Sequence, residues 1–206
     1  MKPCVIISGG EFCPLPESEK NKYVIACDKG VLYAAQQGIK PDLIIGDFDS
    51  YDGTLPDDVE ILTYPAEKDD TDTMIALKVA IERGFDDVTV YCGFGGRLDH
   101  LYANFQTAVY GAEHGVSCRF ADERNEVMAV KDGTVEIPCR EDWSLSVFAV
   151  SDVCSGVSIS GTKYQLENDC LTNVFPLGVS NQWMPCGEPA RISVEEGILL
   201  IIISKM

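Results

Sequence analysis

Three short segments of this 206-residue chain concentrate residues able to hold a cation or a phosphate. The first, Gly46-Asp47-Phe48-Asp49-Ser50, follows the apolar run Leu43-Ile44-Ile45 and sets two carboxylates at i and i+2. If extended backbone persists past the run, both point to one side, where they repel unless a cation lies between them. Aspartate and serine also form turns, so the pair alone reads equally well as a turn. The second segment, Lys68-Asp69-Asp70-Thr71-Asp72-Thr73, stands immediately before a helical pattern. Asp70 or Thr71 would cap that helix and Asp72 would favour its dipole, yet one aspartate suffices for capping and three are present. The third, Gly93-Phe94-Gly95-Gly96-Arg97-Leu98-Asp99-His100, is a glycine-rich loop that opens another helix. Exposed backbone N–H groups at a helix start suit phosphate oxygens, and Arg97 can bind such oxygens bidentately.

Taken together, these pieces supply hard oxygen ligands and an anion cradle, the requirements of Mg²⁺ bridging a polyphosphate. Other chemistries lack their residues. The glycine loop carries neither the G-K-[ST] ending of a Walker A loop nor a G-x-G-x-x-G fingerprint. No G-x-S-x-G elbow supports a serine hydrolase. The only histidines, His100 and His114, have no metal-ligand partner three or four residues away, and His114 reads as exposed or hydrogen-bonded.

The elements that must position these residues alternate through the first part of the chain. Strands are expected at 5–7, 23–27, 43–45, 59–62 and 88–91, and helices at 30–37, 71–82 and 98–113. Such alternation predicts an α/β fold with a mostly parallel, Rossmann-like sheet flanked by helices. Ligands of these folds bind where the carboxyl ends of strands run into loops. Asp28, Asp47, Asp49 and the 93–99 loop all fall there. After residue 130 helical periodicity disappears, and runs at 135–137, 145–150, 157–159 and 191–203 read as strands of a small all-β sandwich. The expected domains are therefore 1–130 and 131–206.

A formal net charge of −17 argues against nucleic-acid binding, which needs Lys and Arg to neutralise phosphates. A hydrophobic content of 46% is that of a globular chain. Nine cysteines without a C-x-x-C pair read as buried free thiols, implying a reducing compartment. With no apolar signal core at the start, and with an apolar run at 198–203 too short to span a bilayer, a cytoplasmic protein is expected.

The order A-C-D-K-G, P-D-L-I-I-G-D-F-D-S, K-D-D-T-D-T and G-G-R-L-D-H-x-x-A-N resembles the thiamine pyrophosphokinase family. The likeness continues through Gly161-Thr162-Lys163-Tyr164-Gln165-Leu166 and Gly178-Val179-Ser180-Asn181, so it spans nearly the whole chain. It implies transfer of the pyrophosphoryl group of ATP to thiamine, giving thiamine diphosphate and AMP, by a homodimer with sites in clefts at its interface. It further implies Mg²⁺ at Asp47, Asp49, Asp70, Asp72 and Asp99. ATP would be met by Asp28, Ser8, Gly9 and Asn104, with Arg97, Asp72 and Asp99 as catalytic residues. Thiamine would stack on Tyr164, a tyrosine where the family often has another aromatic residue, and meet Ser180 and Asn181. Trp183 either contributes nearby or packs in the sandwich. Two other readings remain open: a metal-dependent nucleotide phosphohydrolase, and a non-catalytic thiamine or nucleotide sensor.

Overall fold

The computed structural model describes residues 1–47, 56, 58–65, 67, 69–185 and 187–206. Within them the chain divides into two compact units: residues 1–107 with 115–123, and residues 108–114 with 124–206. The division after Glu123 puts 125–131 in the second unit, whereas the sequence reading placed the break after residue 130.

The first unit carries the strands β1 (Pro3–Ile7), β2 (Tyr23–Cys27), β3 (Leu43–Gly46), β4 (Glu60–Thr63), β5 (Asp87–Tyr91) and β6 (Ser117–Ala121). Its helices are α1 (Gly30–Gln36), α2 (Asp72–Glu82) and α3 (Leu98–Glu113), the last of which runs on into the second unit. The strands are ordered β4-β3-β2-β1-β5-β6, and every neighbouring pair is parallel. Residues 4–7, 24–27 and 43–46 are buried throughout, as expected when both faces of a parallel sheet are covered. At the edge, β4 is largely exposed. The chain lays β2, β3 and β4 on one side of β1, then returns to place β5 on the other. That reversal leaves a crevice between the carboxyl ends of β1 and β5, where open α/β sheets take ligands.

The second unit contains β7 (Asn125–Lys131), β8 (Thr134–Ile137), β9 (Trp143–Ala149), β10 (Val153–Ser160), β11 (Leu166–Thr172), β12 (Gly178–Gln182), β13 (Ala190–Ser193) and β14 (Ile198–Lys205). Two antiparallel layers, β12-β9-β14-β7 and β11-β10-β13-β8, close over one core that includes Leu145, Val157, Leu171, Trp183, Ile192, Leu199 and Ile201. The apolar run at 198–203 is thus a central strand flanked by β7 and β9. No described helix is long and apolar enough to cross a membrane.

Three details depart from the sequence reading. The expected strand at 191–203 is two, because Glu195-Glu196-Gly197 turns the chain and Gly197 takes a φ of +117°. The strands β6, β7, β11 and β12 were not anticipated; β11 is polar and mostly exposed, and β12 has a single apolar side chain, Val179, so both lack the apolar run that marks a strand. The helix expected from residue 71 begins at Asp72, because Thr71 is its cap: its hydroxyl accepts the Met74 N–H at 3.2 Å.

Candidate active site

Parallel pairing brings the ends of β1, β2, β3 and β5 to one edge of the sheet. The Ser8 N–H donates to the Tyr91 carbonyl at 2.9 Å and the Asp28 N–H to the Ile45 carbonyl at 3.2 Å, carrying the register one step beyond the strands. The loops that follow enclose a cavity of about 580 Å³ lined by Ser8, Gly9, Gly10, Glu11, Asp28, Lys29, residues 69–73, Gly93, Gly95, Gly96, Arg97, His100 and Asn104. A pocket of this size accommodates a nucleotide-sized ligand.

Close backbone approach explains the small residues. A Cβ on Gly9 would stand 2.4 Å from Asp28 Oδ2, and one on Gly10 would stand 2.5 Å from the Phe94 carbonyl oxygen. Gly10 donates to the Cys92 carbonyl at 2.7 Å, and Glu11 to that of Phe94 at 2.8 Å, so the 8–11 turn and the 93–96 loop are fastened together. Buried Asn104 reaches back from α3 to donate to the Gly93 carbonyl at 2.7 Å. Buried Ser8 shares a hydrogen bond of 2.6 Å with Thr73 in the first turn of α2.

The electrostatics are lopsided. Glu11, Asp28, Asp69, Asp70 and Asp72 line the cavity against two permanent cations, Lys29 and Arg97. The Asp28 carboxyl is held above its ordinary pKa, first by desolvation against the Gly9 turn, then by the charge of Asp72, with a smaller push from Asp47. Asp28 also has a φ of +53°, a conformation that non-glycine residues adopt sparingly. Asp70 is bridged to Lys78 at 2.7 Å. Arg97 and Asp99 form a bidentate pair, both exposed, with Nε to Oδ1 at 3.1 Å. The bond from Arg97 holds the Asp99 carboxyl below the usual carboxylate range.

The expected ATP-site residues Ser8, Gly9, Asp28 and Asn104 therefore meet around one cavity with Asp70, Asp72 and Arg97. Asp47 sits just past β3, close enough to act on Asp28 electrostatically, without lining the cavity. Asp99 faces Arg97 and does not line it either. Asp49 lies outside the described residues. Lys29, Thr73 and Glu11 were not singled out from the sequence; Lys29 stood in plain view within A-C-D-K-G, while the pairing of Thr73 with Ser8 depends on contact across 65 positions.

The donor set is one of hard oxygens with a surplus of negative charge, which repels a polyphosphate unless a divalent cation compensates it. The residues therefore fit Mg²⁺. Among the described residues no three acidic, histidine or cysteine side chains are gathered as a ready coordination shell. Mg²⁺ commonly keeps waters and substrate oxygens as ligands, so one or two carboxylates suffice.

In the sandwich unit, buried Asn181 governs the turn that carries Tyr164. Its Oδ1 accepts the Tyr164 N–H at 3.0 Å and the Gln182 N–H at 2.9 Å. Its Nδ2 donates to the Tyr164 carbonyl at 2.6 Å and to Thr162 Oγ1 at 3.1 Å. The expected direct contact from Asn181 to a ligand meets a side chain already spent on the turn. Tyr164 itself is 62% exposed, with the Lys163 ammonium 5.4 Å from its ring centre. Ser180 is exposed at a φ of +59°, and its N–H donates to Ser146 Oγ at 3.0 Å. Trp183 is buried in the sandwich core and donates to the Ile137 carbonyl at 3.4 Å. His114 bonds the Tyr110 carbonyl at 2.8 Å and stacks on that ring.

Comparison with known proteins adds a separate line. A sequence profile described as "Thiamin pyrophosphokinase, catalytic domain" matches residues 16–120, and one described as "Thiamin pyrophosphokinase, vitamin B1 binding domain" matches residues 134–199. The chain is 29% identical over 214 residues to the thiamine pyrophosphokinase of Bacillus subtilis (strain 168), covering 99% of each. A crystal structure of the thiamine pyrophosphokinase from Bacillus subtilis superposes with a TM-score of 0.87 at 26% identity, over 100% of both chains. The Geobacillus thermodenitrificans thiamin pyrophosphokinase gives 0.83 at 27% identity, over 99% of this chain and 98% of that one. For the Candida albicans thiamin pyrophosphokinase the TM-score is 0.78 at 15% identity, over 99% and 89%, a likeness of fold.

Proposed function

The chain belongs to the thiamin pyrophosphokinase family, and from that premise we propose that it transfers the pyrophosphoryl group of ATP to thiamine, giving thiamine diphosphate and AMP. The observation that carries the proposal is the cavity at the carboxyl ends of β1, β2 and β5, where a fastened pair of glycine turns meets a crowd of carboxylates and Arg97. The glycine turns leave room for a triphosphate to approach the backbone, and Ser8, Thr73 and Lys29 offer polar groups to its oxygens.

In the reaction the thiamine hydroxyl oxygen attacks the β-phosphorus of ATP, the bond to the oxygen bridging the α- and β-phosphorus breaks, and AMP leaves. Asp72, with Asp28, Asp47, Asp49 or Asp70, would hold Mg²⁺, which when bound would neutralise polyphosphate charge. Arg97, held by Asp99 through Nε and Nη2, would offer its remaining N–H groups to the transferring oxygens. Of the two carboxylates that could orient the hydroxyl or accept its proton, Asp72 lines the cavity, whereas Asp99 is held as a weak base by Arg97. Asp72 is assigned that role and Asp99 the positioning of Arg97.

Tyr164 offers an exposed ring face to a cationic heterocycle, a contact that Lys163 now occupies within the chain. Asn181 holds the ring's backbone, and Ser180 presents its hydroxyl from the neighbouring strand. We further propose a homodimer in the cytoplasm. The exposure of Val174, Phe175, Leu177 and Val179 within one short segment supports the association.

Incubating the protein with ATP, Mg²⁺ and thiamine tests the reading: AMP and thiamine diphosphate form in equal amounts, and omitting thiamine stops AMP formation. Hydrolysis that ignores thiamine would favour the phosphohydrolase. Tight binding of thiamine without turnover would favour the sensor.

A further inference from the structure

Two thiols that the proposed reaction does not use meet behind the glycine turns. Cys13 Sγ and Cys92 Sγ are 3.6 Å apart, and both residues are buried. Each sulfur also receives a backbone N–H from the other residue: Cys13 N to Cys92 Sγ at 3.4 Å, and Cys92 N to Cys13 Sγ at 3.2 Å. These two segments, 79 positions apart in sequence, hold the sulfurs face to face. We propose that Cys13 and Cys92 are a site of oxidative modification, closing to a disulfide with a peroxide as oxidant and thereby disabling the adjoining phosphate turns.

The Cys92 thiolate attacks one oxygen of hydrogen peroxide, the O–O bond breaks, and hydroxide leaves to take up the proton that Cys92 released. Cys13 sulfur then attacks the sulfenic sulfur, the S–O bond breaks, and a second water leaves with the Cys13 proton. Two electrons pass from the sulfurs to the peroxide. The electrostatics suit this order: the Cys92 thiol is pulled down by the hydrogen bond from Cys13, while Cys13 is pushed up by the same contact and by burial. Both residues are buried, Cys13 at 7% and Cys92 at 1% exposure, so the oxidant must be as small as hydrogen peroxide.

A bond requires the sulfurs to close from 3.6 Å to about 2.05 Å. Cys92 has little slack to give. It has a φ of +57°, its carbonyl is tied to the Gly10 N–H, and the next residue, Gly93, lies so close to Phe120 that a Cβ would stand 2.5 Å from its ring. Pulling Cys92 therefore moves Gly10 and Gly93, both of which line the cavity.

The test treats the 206-residue protein, carrying Cys170→Ser to remove an exposed thiol, with limiting hydrogen peroxide. Expected are a loss of two hydrogens in intact mass, a non-reduced peptide linking residues 13 and 92, and a fall of about 10- to 100-fold in thiamine-dependent AMP formation. Dithiothreitol reverses all three. Cys13→Ser and Cys13→Ala, each in the same background, form no link and keep their activity at the same peroxide dose. Absence of the 13–92 link overturns the site, and a complete link with full activity overturns the coupling. The mass result stands whether or not the proposed reaction does.

Discussion

Around the cavity of the parallel unit five carboxylates face two permanent cations, and Asp28 is held above its normal pKa first by desolvation and then by the charge of Asp72. At the Tyr164 turn of the sandwich the buried amide of Asn181 makes four hydrogen bonds within the chain, leaving one ring exposed. One region gathers carboxylates in excess of cations, the other is built from hydrogen bonds completed within the chain. The contrast matches two ligand chemistries: a polyphosphate needs compensating charge delivered with it, whereas a flat organic cation needs a rigid aromatic face. It also means that substitutions in the two regions should fail in different ways.

The largest effect is expected at Asp72. Asp72→Asn should lower kcat by about 100-fold or more with an unchanged melting temperature, because the residue faces ligand chemistry at the start of α2. Near-normal AMP release from this variant would remove Asp72 from the metal and catalytic roles. Asn181→Ala should show the opposite balance. It removes the acceptor of the Tyr164 and Gln182 N–H groups, costing about 1–3 kcal/mol in urea unfolding, and it raises the KM for thiamine while kcat holds. Stability equal to the parent protein would break the claim that this turn is clamped.

Tyr164→Ala separates the ring from its support. The side chain is 62% exposed, so stability should not change, and the KM for thiamine should rise by about tenfold, the equivalent of a single cation–π contact. An equal rise in the KM for ATP would show that the ring does not belong to the thiamine subsite. Asp28→Asn gives the smallest effect and the sharpest sign. A carboxyl whose folded pKa is raised opposes folding once ionised, so the metal-free variant should melt slightly higher than the parent at neutral pH. That difference should vanish below pH 3.8, where the parent's Asp28 is protonated in both states. A lower melting temperature at neutral pH would mean that Asp28 is not under repulsion.

Much of the parallel unit was legible because its signals are local. Buried strands such as 24–27 and 43–46 are continuous apolar runs, each ending in a loop that holds an aspartate, so sheet and site are read together. Thr71 could not be separated from Asp70 as the cap, since both residue types cap helices and only the backbone geometry decides. The sandwich was read less well. Strands β11 and β12 carry Glu167, Asn168, Asp169, Ser180 and Gln182, and their pairing depends on register with distant strands more than on any pattern of their own. Asn181 stood out by family likeness as a ligand contact; its bonds to Thr162 and Tyr164 span 17 to 19 positions and leave no trace in spacing. The same holds for Cys13 and Cys92, two ordinary buried thiols until the fold sets them side by side.

The most direct measurement follows the transferred group itself. With ATP labelled at the β-phosphorus, Mg²⁺ and thiamine, the label should appear in thiamine diphosphate in step with AMP, and a chelator should abolish both. Label recovered as inorganic pyrophosphate, at a rate indifferent to thiamine, would contradict the account.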